Sequence, residues 1–204
     1  ELLRPIGIES DEMEYRLPRD AESEGFASRV HNQLFADQPF ALINVGAGWP
    51  SKLWPSERYA AVAKHLESQW GLPSLVLWAG SEERKIANAI VEQCSGFSHL
   101  APETTLKELR ALVRRARLFV GSDTGPMHLA VAVDTPTVAM IGPMPIERVG
   151  PLGSAHRGVQ IEKLPSSRKS ERKTNCEPML SIQASHVRDA CDEVLERANL
   201  KRVG

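Results

Sequence analysis

The 204 residues can form one sizeable domain, or one domain with an extra arm. A hydrophobic fraction of 42%, a charged fraction of 25% and a formal net charge of −1 describe a chain with a real core and no global field favouring nucleic acid. No apolar run approaches the roughly 20 residues of a bilayer-crossing helix, and Glu1-Leu2-Leu3-Arg4-Pro5 does not form a signal peptide.

In chain order, residues 1–38 read as an arm or linker from a missing N-terminal domain, ending in a helix over 21–35. The opening without Met predicts a piece of a longer protein. Residues 39–204 then alternate buried apolar runs with segments of helical period. A strand is expected over 40–45, and a helix over 56–70 with Tyr59, Val62, Ala63 and Leu66 on one face. A second strand spans 74–78, and a helix follows from Ser81 to about Cys94. Thr105 and Glu108 have the capping-box spacing and open a helix to Ala116, whose basic end (Arg114, Arg115, Arg117) complements the dipole. Next come a strand over 118–120, a short helix over 125–133, a strand over 137–141 and a weaker one over 159–161. Residues 165–177, rich in Ser, Arg and Lys, read as a mobile loop. A last helix spans 181–199, with Ile182, Val187, Ala190, Val194 and Leu195 as its apolar stripe. This alternation predicts an α/β fold: a doubly wound parallel sheet, Rossmann-like, with helices on both faces.

Cys94, Cys176 and Cys191 are odd in number and far apart, and the six histidines are scattered. Neither a disulfide framework nor a metal site is expected, and a reducing, cytoplasmic compartment is the simpler reading.

In such a sheet, ligands bind beyond the carboxyl ends of the strands. Three segments arrive there: Gly46-Ala47-Gly48, Gly80-Ser81-Glu82-Glu83 and Gly121-Ser122-Asp123-Thr124-Gly125-Pro126-Met127-His128. The third places Thr124 and Gly125 at a helix N-terminus, where unpaired N–H groups and the dipole suit a phosphate. Asp123 would repel that phosphate, so it either accepts from sugar hydroxyls or caps the helix. His128, one turn on, is either a donor to a phosphate or leaving-group oxygen, or an ordinary helix histidine. Lys52 either neutralises a diphosphate as a point charge or is an exposed loop lysine. The Gly46-Ala47-Gly48 stretch is not a dinucleotide fingerprint: Pro50 and Pro55 delay the helix, and the second strand ends in Trp78-Ala79 without the required acid.

Taken together, Gly46 to Pro55 with its Lys52-Leu53-Trp54-Pro55, Asp123-Thr124-Gly125-Pro126-Met127-His128, and Gly142-Pro143-Met144-Pro145 followed by Arg148-Val149-Gly150-Pro151 resemble the bacterial lipopolysaccharide heptosyltransferases, glycosyltransferase family nine. The resemblance covers roughly residues 40–198. It implies the C-terminal, donor-binding half of a GT-B enzyme, which holds a nucleotide-diphosphate sugar, typically ADP-heptose, for inverting transfer to a lipopolysaccharide core acceptor. No metal or other cofactor is implied. Carried over by motif, Lys52 contacts the donor phosphate and sugar, Thr124 and Gly125 cradle the diphosphate, Asp123 meets sugar hydroxyls and His128 belongs to the same loop. Glu83 holds the ribose, with Glu82 as the fallback, and Thr104 falls at the adenine edge. Ala47 and Gly48 stand where some members carry hydroxyl side chains, so their contacts would be backbone only. The family's catalytic base belongs to the missing N-terminal domain, and the early carboxylates Glu9, Asp11, Glu12 and Glu14 are no credible substitute. Two rivals are a different GT-B enzyme, such as a sugar-nucleotide epimerase, and a non-catalytic nucleotide-binding module. The expected partners are the donor, the acceptor and the missing domain, with no nucleic acid. The location is cytoplasmic, with a peripheral place on the inner face of the inner membrane left open by the basic 165–177 stretch.

Overall fold

The computed structural model describes Gly7, Tyr15 and residues 17–202, with the side chains of 166–169 excepted. Glu9, Asp11, Glu12 and Glu14 lie outside the described residues. Six parallel strands form one sheet in the order β3-β2-β1-β4-β5-β6. They are β1 (Ala41–Asn44), β2 (Ser74–Leu77), β3 (Ser98–Leu100), β4 (Leu118–Ser122), β5 (Thr137–Met140) and β6 (His156–Val159). The chain leaves β1 in one direction and returns to β4 on its other side. That reversal opens a crevice at the carboxyl ends of β1 and β4.

The helices are α1 (Ala21–Phe35), α2 (Ser56–Trp70), α3 (Gly80–Gln93), α4 (Leu106–Arg115), α5 (Gly125–Ala132), α6 (Ile146–Val149), α7 (Glu177–Leu180) and α8 (Ala184–Arg197). Alternation along β1 sorts the core into two layers: Ala41, Ile43 and Val45 face α2, α3 and α8, while Phe40 and Leu42 face α1, α4 and α5. Leu66 and Val62 of α2 are fully buried, each contributing roughly 1.5–3 kcal/mol relative to exposure. Helix α1 buries Ala27, Val30 and Phe35 in the second layer. Arg115 of α4 ties it down by donating to Ser28 Oγ at 2.5 Å, and Arg114 of α4 holds the segment just before it by donating to the Leu17 carbonyl at 2.7 Å.

Four details depart from the sequence reading. Strand β3 was not expected. It is a three-residue edge strand with His99 at its centre, too short and too polar to show a period. Strand β6 begins three residues earlier than predicted. The last helix starts at Ala184, where Gln183 and His186 form its capping box. The basic stretch is not an open loop: Ser166–Lys173 winds into 3-10 turns, anchored where Ser51 Oγ donates to the Arg172 carbonyl at 2.5 Å.

Candidate functional site

A cleft of about 580 Å³ lies over the carboxyl ends of β1, β2 and β4. One wall is the turn after β1. Pro50–Lys52 forms a single 3-10 turn, and the following Trp54 is buried and donates its indole N–H to the Ile182 carbonyl at 2.8 Å. Trp54 also meets Tyr59 edge-on at 4.8 Å. Tyr59 is fully buried beneath the turn, and burial, with Glu83 nearby, pushes its hydroxyl above the ordinary tyrosine range. Its ring packs against Trp54 in the core beneath Lys52. Lys-x-Trp-Pro thus works as an anchor that fixes where Lys52 stands.

Lys52 does not project freely. Its ammonium donates to Asp123 Oδ2 at 2.6 Å and to the Asp123 carbonyl at 2.8 Å, and lies 4.7 Å from the centroid of the Trp49 ring. An ammonium has three N–H donors, so two are used and one remains for a ligand oxygen. Asp123 is almost buried, and its other oxygen, Oδ1, lies 3.2 Å from His128 Nε2. The N-cap of α5 is Thr124, in an extended conformation, and no side chain caps the helix. Asp123 is therefore an ion-pair partner and not the cap, and the N-terminal N–H groups of α5 are left open to an anion.

Asn44 braces the two loops. Its amide reaches Thr124 Oγ1 at 3.3 Å and the Gly46 carbonyl at 3.4 Å. Thr124 Oγ1 donates to the Ser122 carbonyl at 3.1 Å, and Ser122 Oγ to the Gly46 carbonyl at 3.1 Å. Across the cleft, Glu83 accepts the Ala79 N–H at 2.8 Å and lies against Gly46, where a Cβ would come within 2.9 Å of Glu83 Oε2. Glu82 points away and pairs with Lys85 at 2.7 Å in solvent. Of the two carboxylates, Glu83 faces the cleft.

The cleft has two chemically distinct ends. Leu77, Trp78, Pro102, Leu106 and Leu109 make an apolar slot beside Thr104. Gly46, Lys52, Asp123, Thr124 and Gly125 make a polar end, with Glu83 on the cleft wall. Of the predicted residues, Ala47, Gly48, Lys52, Glu83, Thr104, Asp123, Thr124 and Gly125 all line this one cleft. His128 stands behind it, against Asp123. Sequence reasoning missed Asn44, Trp49, Trp78 and Leu106. A polar residue closing an apolar strand, and a leucine on the solvent side of a helix start, were the available signals. Among the described residues, no group of three or more His, Cys, Asp or Glu gathers to hold a metal ion.

The comparisons with known proteins agree with this architecture. The family model for glycosyltransferase family 9 (heptosyltransferase) matches residues 3–180. The chain belongs to this family. Lipopolysaccharide heptosyltransferase 2 of Escherichia coli (strain K12) is 31% identical over 152 residues, covering 71% of this chain and 43% of that protein. Among solved structures, a glycosyltransferase family 9 protein from Veillonella parvula superposes with a TM-score of 0.79 at 23% identity, covering 96% of this chain and 58% of that one. The E. coli ADP-heptose lipopolysaccharide heptosyltransferase II superposes with a TM-score of 0.69 at 25% identity, covering 89% and 54%. The chain thus spans about half the length of these relatives.

Proposed function

We propose that this chain is the donor-binding domain of a GT-B glycosyltransferase, holding a nucleotide-diphosphate sugar, ADP-heptose, for inverting transfer to a lipopolysaccharide core acceptor. The observation that carries this reading is the order of groups in one cleft: an apolar slot, a carboxylate, then a lysine beside an uncapped helix N-terminus. The adenine fits the slot by Trp78, Leu106 and Thr104. Glu83 accepts from the ribose hydroxyls. The N–H groups of Thr124 and Gly125, with the remaining donor of Lys52, take the diphosphate, while Ala47 and Gly48 let it approach the backbone.

Chemically, the cleft stabilises the leaving group. As the bond from the sugar to the diphosphate breaks, negative charge grows on the phosphate oxygen, and fixed donors at Lys52 and α5 meet it without reorganising. Asp123 holds Lys52 in place and keeps lone pairs for sugar hydroxyls, since a carboxylate has about four acceptor sites. His128 steadies Asp123 from outside. The base that activates the acceptor belongs to the other domain of the whole enzyme, and no metal takes part in this scheme. The setting is cytoplasmic. No helix among the described residues is long and apolar enough to cross a membrane.

The test is a thermal-shift panel of ADP, UDP, CDP and GDP at equal concentration. ADP should raise the melting temperature most. A larger shift with UDP or CDP would overturn the adenine assignment, and no shift with any of them would overturn the nucleotide reading.

A further inference from the structure

We infer that Lys173 is a second cation for the phosphate end of the cleft, taking the terminal phosphate of a nucleoside diphosphate together with Lys52. This rests on the cleft being a nucleotide-diphosphate site and deepens that reading. Two ammonium groups share the ring of Trp49, which itself lines the cleft: Lys52 Nζ at 4.7 Å from the centroid and Lys173 Nζ at 5.3 Å. An indole attracts a cation within about 6 Å of its centroid, so the ring holds both charges beside a residue of the cleft lining, although Lys173 does not itself line the cleft.

The backbone around Lys173 is fixed against the Lys52 turn. Ser51, fully buried, donates to the Arg172 carbonyl at 2.5 Å, and Cys176 Sγ lies 3.6 Å from the Pro50 carbonyl oxygen. Gly142 leaves room for this docking: a Cβ there would come within 3.2 Å of the Ser51 carbonyl oxygen and 3.3 Å of Met179 Cβ. The immediate neighbours of both lysines are therefore fastened to each other, although the two lie far apart in sequence.

Charge balance gives Lys173 its purpose. The Lys52 ammonium is already matched by Asp123 at 2.6 Å, so the pair presents little net charge to an incoming diphosphate. Among the described residues no carboxylate pairs with Lys173. Its segment, Ser166–Lys173, carries Arg168, Lys169, Arg172 and Lys173 against the single Glu171. A terminal phosphate bears more charge than an internal one and so gains more from a nearby cation.

Calorimetric titration of ADP and of AMP into the wild-type chain, Lys173→Met, Lys173→Arg and Lys52→Met tests this. Lys173→Met should weaken ADP roughly three- to tenfold and AMP by less than about twofold, as expected for a partly solvated ammonium–phosphate contact. Lys173→Arg should restore ADP affinity. Raising the salt concentration should narrow the ADP gap between wild type and Lys173→Met. Because Lys173 is exposed, unchanged melting curves will verify the fold of its two variants, and a cooperative melt well above the titration temperature will verify that of Lys52→Met. Equal losses for ADP and AMP, or wild-type ADP affinity in Lys173→Met, would overturn the inference. If Lys52→Met weakens ADP and Lys173→Met does not, the inference alone falls. If the folded wild type binds no ADP, the cleft reading falls with it.

Discussion

A double-mutant cycle on Lys52 and Asp123 measures how strongly the site is built around their pair. The two side chains are 13% and 8% exposed and meet at 2.6 Å. Removing one leaves the other as a mostly buried charge without its partner, which costs about 1–3 kcal/mol. Lys52→Met orphans both Asp123 Oδ2 and the Asp123 carbonyl. Asp123→Asn leaves Lys52 its carbonyl acceptor at 2.8 Å, so its loss should be the smaller. The double variant orphans neither charge and should lose less than the two singles combined, by roughly 1–2 kcal/mol of coupling. For a domain of this size, one kcal/mol moves the melting temperature by about 2–4 °C. Lys52→Met should therefore melt roughly 2–12 °C below wild type, and adding Asp123→Asn to it should cost little more. Circular-dichroism melts and urea titrations at pH 7, with no ligand, read out all four corners. Losses that add to within about 0.5 kcal/mol would show that the contact is incidental and that Lys52 stands ready for a ligand without Asp123.

Asp123→Asn should bind ADP nearly as wild type does but lose affinity for ADP-heptose, in parallel titrations; equal losses for both would remove Asp123 from the sugar. Gly46→Ala should displace the Glu83 carboxylate, which a Cβ would approach to 2.9 Å, and weaken ADP by about five- to thirtyfold as one charged hydrogen-bonding group is lost. The same variant should leave inorganic pyrophosphate binding and the melt nearly unchanged, and a matching loss for pyrophosphate would contradict the role given to Glu83. Away from the cleft, Asp192 accepts from Trp70 Nε1 at 2.7 Å, has His65 Nε2 at 2.7 Å and meets Arg202 at 3.2 Å. Burial pushes its pKa up, but the hydrogen bonds from His65 and Trp70 and the charges of His65 and Arg202 more than offset that, so the pKa is lowered on folding. A lowered carboxylate pKa contributes stability above its unfolded value, lost as pH falls through the folded one. Asp192→Asn should therefore reduce the melting temperature at pH 7 and flatten its decline below about pH 4; an unaltered acid limb would refute this.

Much of the fold was legible because its signals are local. The Thr105–Glu108 capping box forms as read, with Glu108 Oε2 accepting the Thr105 N–H at 2.8 Å and Thr105 Oγ1 accepting the Glu108 N–H at 3.3 Å. The alternation in β1 and the helical stripe of α2 likewise place their own side chains. What escaped depends on distant partners. Ser166–Lys173 looks like a solvated loop until Ser51 meets its backbone, 121 residues away. Asp123 had two local readings, cap or ligand, until Lys52, 71 residues away, occupied it. Glu82 and Glu83 are equivalent in composition, and only the rotation of about 100° between neighbouring helix positions sends one to Lys85 and the other to the cleft. Strand β3 needs β2 beside it to exist, since three residues carry no period.

The proposed hold on a nucleotide-diphosphate sugar depends on Lys52. Calorimetry of ADP-heptose against the wild-type chain and Lys52→Met, with folding of both checked by melts at the titration temperature, tests it most directly. A single wild-type site is expected, with a loss of about tenfold to a hundredfold in the variant, the value of one charge-assisted phosphate contact of roughly 1.5–3 kcal/mol. Equal affinity in the two folded proteins would contradict it.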